Sequence, residues 1–164
     1  MRFRTPKHVE IRQATSGDAR FLARNLRATD RKEIRAFTGK DPEEMVRDSF
    51  DLSCVAWTIW LSGAPAVLSG LVERSPGVGI PWLVGTESLD FSLEVKRALA
   101  MNSKEILADY HAKTGFLYNF ISEDNMFTVG WLDWLGFEIC SGWGIRNGVP
   151  FAYVWRKAEE EAEG

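Results

Sequence analysis

Asn125-Met126-Phe127-Thr128-Val129-Gly130-Trp131-Leu132-Asp133-Trp134-Leu135-Gly136-Phe137 is a short helix with both ends written out. Asn125 caps the free N–H groups of the first turn, and Gly136 takes the left-handed conformation that stops the last one. Before it, Phe116 to Ile121 is mostly apolar, as expected for a strand buried on both faces. After it, Phe137 to Cys140 and Phe151 to Trp155 read as strands, joined by a glycine-rich loop holding Trp143. Upstream, Phe91, Val95, Leu99, Asn102, Ile106 and Tyr110 recur at spacings of four, four, three, four and four, one face of a long helix. Asp90 is placed to cap its start, and Lys113 with Gly115 to end it.

Farther towards the N-terminus the period shortens to that of strands. Ile80 to Val84 is one, with Pro81 lacking an N–H, so the strand is expected to be bulged or edge-facing there. Cys54 to Leu61 and Ala66 to Val72 flank the turn residues Ser62-Gly63-Ala64-Pro65 and read as a hairpin. Val9-Glu10-Ile11-Arg12 alternates as a first strand. Thr15 and Asp18 form a capping box for a helix that buries Phe21, Leu22 and Leu26. Asp41-Pro42-Glu43-Glu44 starts a second helix, with Met45, Val46 and Phe50 as its apolar side. The order is β-α-α-β-β-β-α-β-α-β-β: an α/β fold, a mixed sheet with helices on both faces. A single domain is expected over residues 1–157, with an acidic tail over 158–164.

The chain has 164 residues, 45% of them hydrophobic and 26% charged, so it is long enough to bury a core without a disulfide or a metal. No apolar run approaches the length of a membrane span. Cys54 and Cys140 each lie in an apolar segment and are expected to be buried, reduced thiols, which fits a cytoplasmic protein. His8 and His111 have no ligand spacing to the cysteines, so no metal is expected. The net charge is −3, but the first 40 residues carry a balance of +7 and the rest −10. Arg20, Arg24, Arg27 and Arg31 fall at helical spacing and read as the wet face of an amphipathic helix. A nucleic-acid footprint is the rival reading of that basic end. The acidic whole and the lack of interleaved aromatics there make nucleic acid the less expected partner.

The element order resembles the acyl-CoA N-acyltransferase (GNAT) fold over nearly the whole chain. Ile11-Arg12-Gln13-Ala14 with Asp18-Ala19 is similar to that family's first strand and helix. Asn125, with Gly136 and Phe137 eleven and twelve positions later, has its spacing. A narrower set of segments resembles the GNAT-like internal virion, or internal core, proteins of short-tailed bacteriophages. These are Leu26-Arg27-x-x-Asp30-x-x-Glu33-Ile34, Ile80-Pro81-Trp82-Leu83-Val84-Gly85-Thr86 and Trp131-Leu132-x-Trp134-Leu135-Gly136-Phe137. That resemblance implies particle assembly through protein partners, a cytoplasmic or virion-associated location and, with its spread of Trp, room for a homodimer.

The wider resemblance implies acetyl-CoA or coenzyme A as cofactor, held at Leu83, Val84, Gly85, Thr86, Ser88 and Asn125. In that family the fourth and fifth strands splay to admit pantetheine. The pyrophosphate loop, Arg/Gln-x-x-Gly-x-Gly/Ala, corresponds here to Val84-Gly85-Thr86-Glu87-Ser88-Leu89-Asp90-Phe91. It retains one glycine, has no basic residue and adds Glu87 and Asp90 where an anion should dock, which costs binding. The family's Tyr seven residues beyond the Asn is here Leu132, which donates no proton. Glu73 is the remaining candidate general base. Tyr110 and Tyr118 read as core or half-core aromatics, and Trp131 and Trp134 as sharing a core face. Two functions stay open besides the assembly role: an acetyl-CoA-dependent N-acyltransferase with an atypical loop, and a nucleic-acid module using the basic first 40 residues.

Overall fold

The computed structural model describes residues 3–160. Strand β1 (Val9–Gln13) is followed by α1 (Ser16–Arg24), α2 (Ala28–Thr38) and α3 (Pro42–Leu52). Then come β2 (Ser53–Leu61), β3 (Ala64–Ser75), β4 (Val78–Gly85), α4 (Ser88–Phe91) and α5 (Leu93–Lys113). The chain continues through β5 (Phe116–Ser122), α6 (Met126–Trp134), β6 (Glu138–Arg146) and β7 (Val149–Lys157). The seven strands form one mixed sheet in the order β1-β2-β3-β4-β5-β7-β6. Every neighbouring pair is antiparallel except β4–β5.

The caps expected at two helix starts are present. Thr15 Oγ1 accepts from Asp18 N while the Asp18 carboxylate accepts from Thr15 N, and Asp18 also takes the Thr58 hydroxyl at 2.8 Å, tying α1 to β2. Asn125 accepts from Thr128 N, and Gly136 has φ +86°. Asp41 makes no side-chain cap, and Pro42 with Glu43 and Glu44 in the first turn marks the start of α3.

Four expectations are corrected. Three helices, not two, lie between β1 and β2, because the chain turns at Asn25 to Arg27 instead of continuing a single helix. Ser92, not Asp90, caps the long helix: its hydroxyl accepts from Val95 N, and Phe91 is left 82% exposed outside it. Trp143 lies within β6, not in a loop, because Gly142 (φ +74°) absorbs an irregularity between Cys140 and Gly144 and the strand runs on to Arg146. Cys54 and Cys140 are both exposed free thiols: Cys54 falls in the irregularity between Ser53 and Val55, and Cys140 lies just before the one in β6.

One face of the sheet packs on α5 and α6. There Leu71, Leu117, Ile106, Leu107, Leu132 and Phe137 form the largest apolar cluster. On the other face, α1 and α3 cover β2, β3 and β4 through Leu22, Leu26, Val46, Leu68 and Val84. Phe21 is 39% exposed and takes no place in that core. No described helix is long and apolar enough to cross a membrane. Ala158 to Glu160 follow β7 without regular structure, and the rest of the expected tail lies outside the described residues.

Candidate functional site

The site forms where the sheet fails to close. β3 and β4 pair along their length, from Val67 with Gly85 to Ser75 with Val78. β4 and β5 pair only at Val78 with Phe116 and Gly79 with Leu117, and then diverge. Pro81 sits just past that point, with no bulge in its pairing to Leu71. Its carbonyl accepts the Asn119 side-chain amide across the opening at 2.8 Å. The N and C=O of a strand residue point to the same side. The N–H that Pro81 lacks therefore faces the gap, and the edge-facing expectation holds.

A cavity of about 570 Å³ occupies the divergence and is lined by residues from both faces of the sheet. On the α5 side it is walled by Trp57, Ser69, Leu83, Tyr110 and Trp131. On the other side the wall comes from Ile34, Phe37, Met45, Trp82 and Tyr118. Tyr110 shares a 2.7 Å hydrogen bond with Ser69, and burial holds its phenol far above the usual range, so it stays protonated. Trp82 donates to the Ser53 hydroxyl at 2.8 Å, and Trp131 to Ser103 at 3.1 Å.

Three charged residues of α2 and its N-cap, spaced by three, point to this region. Arg27 and Asp30 are almost wholly buried and form a two-pronged pair, Nε to Oδ2 at 2.8 Å and Nη2 to Oδ1 at 3.1 Å. Arg27 also reaches Asp90 at 3.0 Å. Burial alone would lower the Arg27 value, but the hydrogen bonds and charge of Asp30 and Asp90 hold it above its usual range. Burial pushes Asp30 up, against the pull of Arg27 and the Gly85 amide. Glu33 accepts from Ser122 N at 2.6 Å and from the Asn125 amide at 3.4 Å. Burial raises its carboxyl above the usual range, and these two donors only partly oppose that. A carboxyl that binds its proton more tightly than usual is the better proton acceptor once ionised.

The Glu33 shift has a stability consequence with a fixed sign. Its folded value lies above its unfolded one, so its contribution is greatest at low pH and is lost as pH rises through the folded value. Glu33→Gln therefore gains stability relative to wild type between acidic and neutral pH. Thermal melts of both proteins at several pH values read this out, and a difference that does not vary with pH contradicts it.

The loop after β4 is closed on itself. Gly85 N donates to Asp30 Oδ2 at 2.9 Å, and Thr86 N to Ala66 O at 2.9 Å. Ser88 N reaches Thr86 Oγ1 at 3.3 Å, and Leu89 N reaches Thr86 O at 3.0 Å. From Gly85 to Leu89, the Glu87 amide alone has no protein acceptor among the described residues. A Cβ on Gly85 would lie 2.7 Å from the Leu89 side chain, so this glycine makes room for Leu89.

No family model matches the chain, and no curated protein matches it in sequence. Solved structures do match in fold. A ribosomal L7/L12 alpha-N-protein acetyltransferase in complex with coenzyme A superposes with a TM-score of 0.64 at 11% identity, over 94% of this chain and 97% of that one. A putative acetyltransferase from Salmonella typhimurium with its cofactor acetyl-CoA gives 0.66 at 12% identity, over 95% and 97%. A spermidine N-acetyltransferase from Vibrio cholerae in complex with coenzyme A and spermine gives 0.61 at 13%, over 93% and 96%. The chain has the GNAT acetyltransferase fold.

Against the GNAT expectation, the residues divide. Leu83, Val84 and Asn125 line the cavity, whereas Gly85, Thr86 and Ser88 lie outside its wall in the closed loop. Glu73 is exposed at the end of β3 opposite Gly79 and does not line the cavity. Leu132 is buried in the apolar cluster. Asp90 is a partner of Arg27 and not the cap of the long helix. Arg27, read as wet, is 3% exposed, and Arg31 turns back to the carbonyls of Leu26 and Arg24. Trp131 is half-buried on Ser103, while Trp134 is 54% exposed beneath Lys104, so the two do not share a core face. The sequence reasoning missed Arg27, Asp30, Glu33 and Asn119 as site residues. The spacing of three from residue 27 to 33 was the signal for the first three.

Proposed function

We propose that this GNAT-fold chain works by protein contact, in phage particle assembly or a related phage process, and not by transferring an acyl group from a loop-bound cofactor. One observation carries the reading: the backbone amides that a pyrophosphate would need are already engaged by Asp30, Ala66 and Thr86. Anion sites at helix starts depend on such amides being free and on favourable charge. The loop's own charges are Glu87 and Asp90, the nearby cations Arg27 and Lys96 are engaged on the Asp90 carboxylate and carbonyl, and Leu89 fills the space beside Gly85. The residues present do not fit the pyrophosphate of coenzyme A. The phage assignment is supported by the three segments that resemble the internal virion proteins. Isothermal titration with acetyl-CoA is expected to give no saturable heat. A micromolar dissociation constant would sink the reading.

A second reading is an acetyl-CoA-dependent N-acyltransferase with an atypical loop. It is favoured by the cavity lined from both faces of the sheet and by Glu33 in its wall. It requires coenzyme A to raise the melting temperature and Gly85→Asp to remove that rise. An unchanged melt in the wild type disposes of it.

A further inference from the structure

We infer that the outer face of β5, β7 and β6, with the groove beside α2, binds single-stranded nucleic acid. This goes beyond the role proposed above and does not depend on whether the loop holds coenzyme A.

The inference starts from strand alternation. Phe116, Tyr118 and Phe120 of β5 point to the side opposite α5, and the ladder sets Trp155 across from Tyr118 and Tyr153 across from Phe120. α1 and α3 cover β2, β3 and β4 on that side and leave these rings half-buried instead of buried. Trp143 of β6 extends the row, 43% exposed and 4.4 Å from Phe120. Tyr153 lies 5.4 Å from Phe120 and 6.1 Å from Tyr118. Phe116 stacks on Trp155 at 5.9 Å. The result is a continuous aromatic floor on a sheet surface. Single-stranded nucleic acid is bound by such floors, because every base has a face that stacks on an aromatic ring.

The charge beside the floor selects this occupant. Arg146 lies over Phe37 at 4.3 Å and over Trp143 at 5.2 Å. The next residue, Asn147, donates to Ala36 O and lines an open groove with Arg31, Lys32 and Arg35 of α2. No carboxylate lines that groove. Among the described residues, Lys32, Arg35 and Arg146 have no carboxylate within ion-pair distance. Lys157 adds a cation beyond Trp155 on the same side. The acids at the border are Glu138, opposite Trp155, and Glu123, which is held by Gly142 N. In a chain of net charge −3, Lys32, Arg35 and Arg146 therefore collect at the margin of the floor beside the β6–β7 turn, with Lys157 at its far end. A phosphate backbone tracks such a margin while its bases stack inside it. The basic N-terminal end noted in the sequence contributes through α2, and the aromatics it lacks are supplied by the other half of the sheet.

The test is fluorescence anisotropy of a labelled twenty-residue oligothymidylate with the full chain, at 50 and 200 mM salt. Saturable binding that weakens steeply with salt is expected. Lys32→Glu with Arg35→Glu should flatten that salt dependence. Tyr153→Ala should weaken binding by about fivefold or more, and Tyr153→Phe should restore it, with thermal melts confirming that both variants fold. No anisotropy change at 50 mM salt overturns the proposal. So does binding of heparin or duplex DNA as tight as that of the oligonucleotide together with indifference to Tyr153→Ala, which would mark a mere polyanion groove. Self-association of the protein that Tyr153→Ala abolishes, without oligonucleotide binding, overturns it in favour of a protein interface.

Discussion

Arg27→Met lowers stability by about 3–5 kcal/mol, because it leaves the Asp30 carboxylate buried without its partner. In a chain of this size that corresponds to a fall in melting temperature of roughly 10 °C. The argument rests on burial: the Arg27 and Asp30 side chains are 3% and 4% exposed, and two parallel hydrogen bonds join them. Arg27→Lys is not expected to rescue, since an ammonium cannot supply both prongs. Asp90 is 41% exposed, and Asp90→Asn should cost less than about 1 kcal/mol. Replacing the pair together, Arg27→Met with Asp30→Leu, removes the stranded charge but still strands the Gly85 N–H. It should therefore recover much, but not all, of the loss. Urea unfolding of the four variants checks the pattern. Arg27→Met within about 1 kcal/mol of wild type would show that the pair does not hold α2 to the loop.

Phe151→Ala should cost about 3–5 kcal/mol. Phe151 is fully buried on β7, opposite Ser122 of β5 and Gly144 of β6, and its ring meets Phe37 of α2 at 4.9 Å. Truncation leaves a void beneath Phe37. Phe151→Leu keeps most of the volume and should cost about 1.5 kcal/mol or less. Thermal or urea unfolding reads both, and near-equal losses would mean that the site relaxes instead of keeping a cavity.

The fold was legible because its elements carry local marks. Asn125 and Gly136 bracket α6, Thr15 and Asp18 cap α1, and the apolar period of α5 survives along most of its length. The site was less legible because it depends on partners far apart in sequence. Arg27 has the same spacing to Arg24 and Arg31 as a wet-face arginine, and besides the local Asp30 its partner is Asp90, 63 positions away. Asp90 and Ser92 are both competent caps two residues apart, and the structure uses the second, which puts Phe91 outside the helix. Trp143 sits among Gly142 and Gly144, which read as a loop, while in three dimensions Gly142 bends a strand that continues. Asn119 has no signal of its own, because its role exists only where two strands part.

Pro81 gives that parting a permanence that packing alone would not. A ring nitrogen has no hydrogen to lend, so no shift of register or change of solvent can zip β4 to β5 at that residue. At Pro81, therefore, the slit between the two halves of the sheet has a covalent cause, present before anything arrives to fill it.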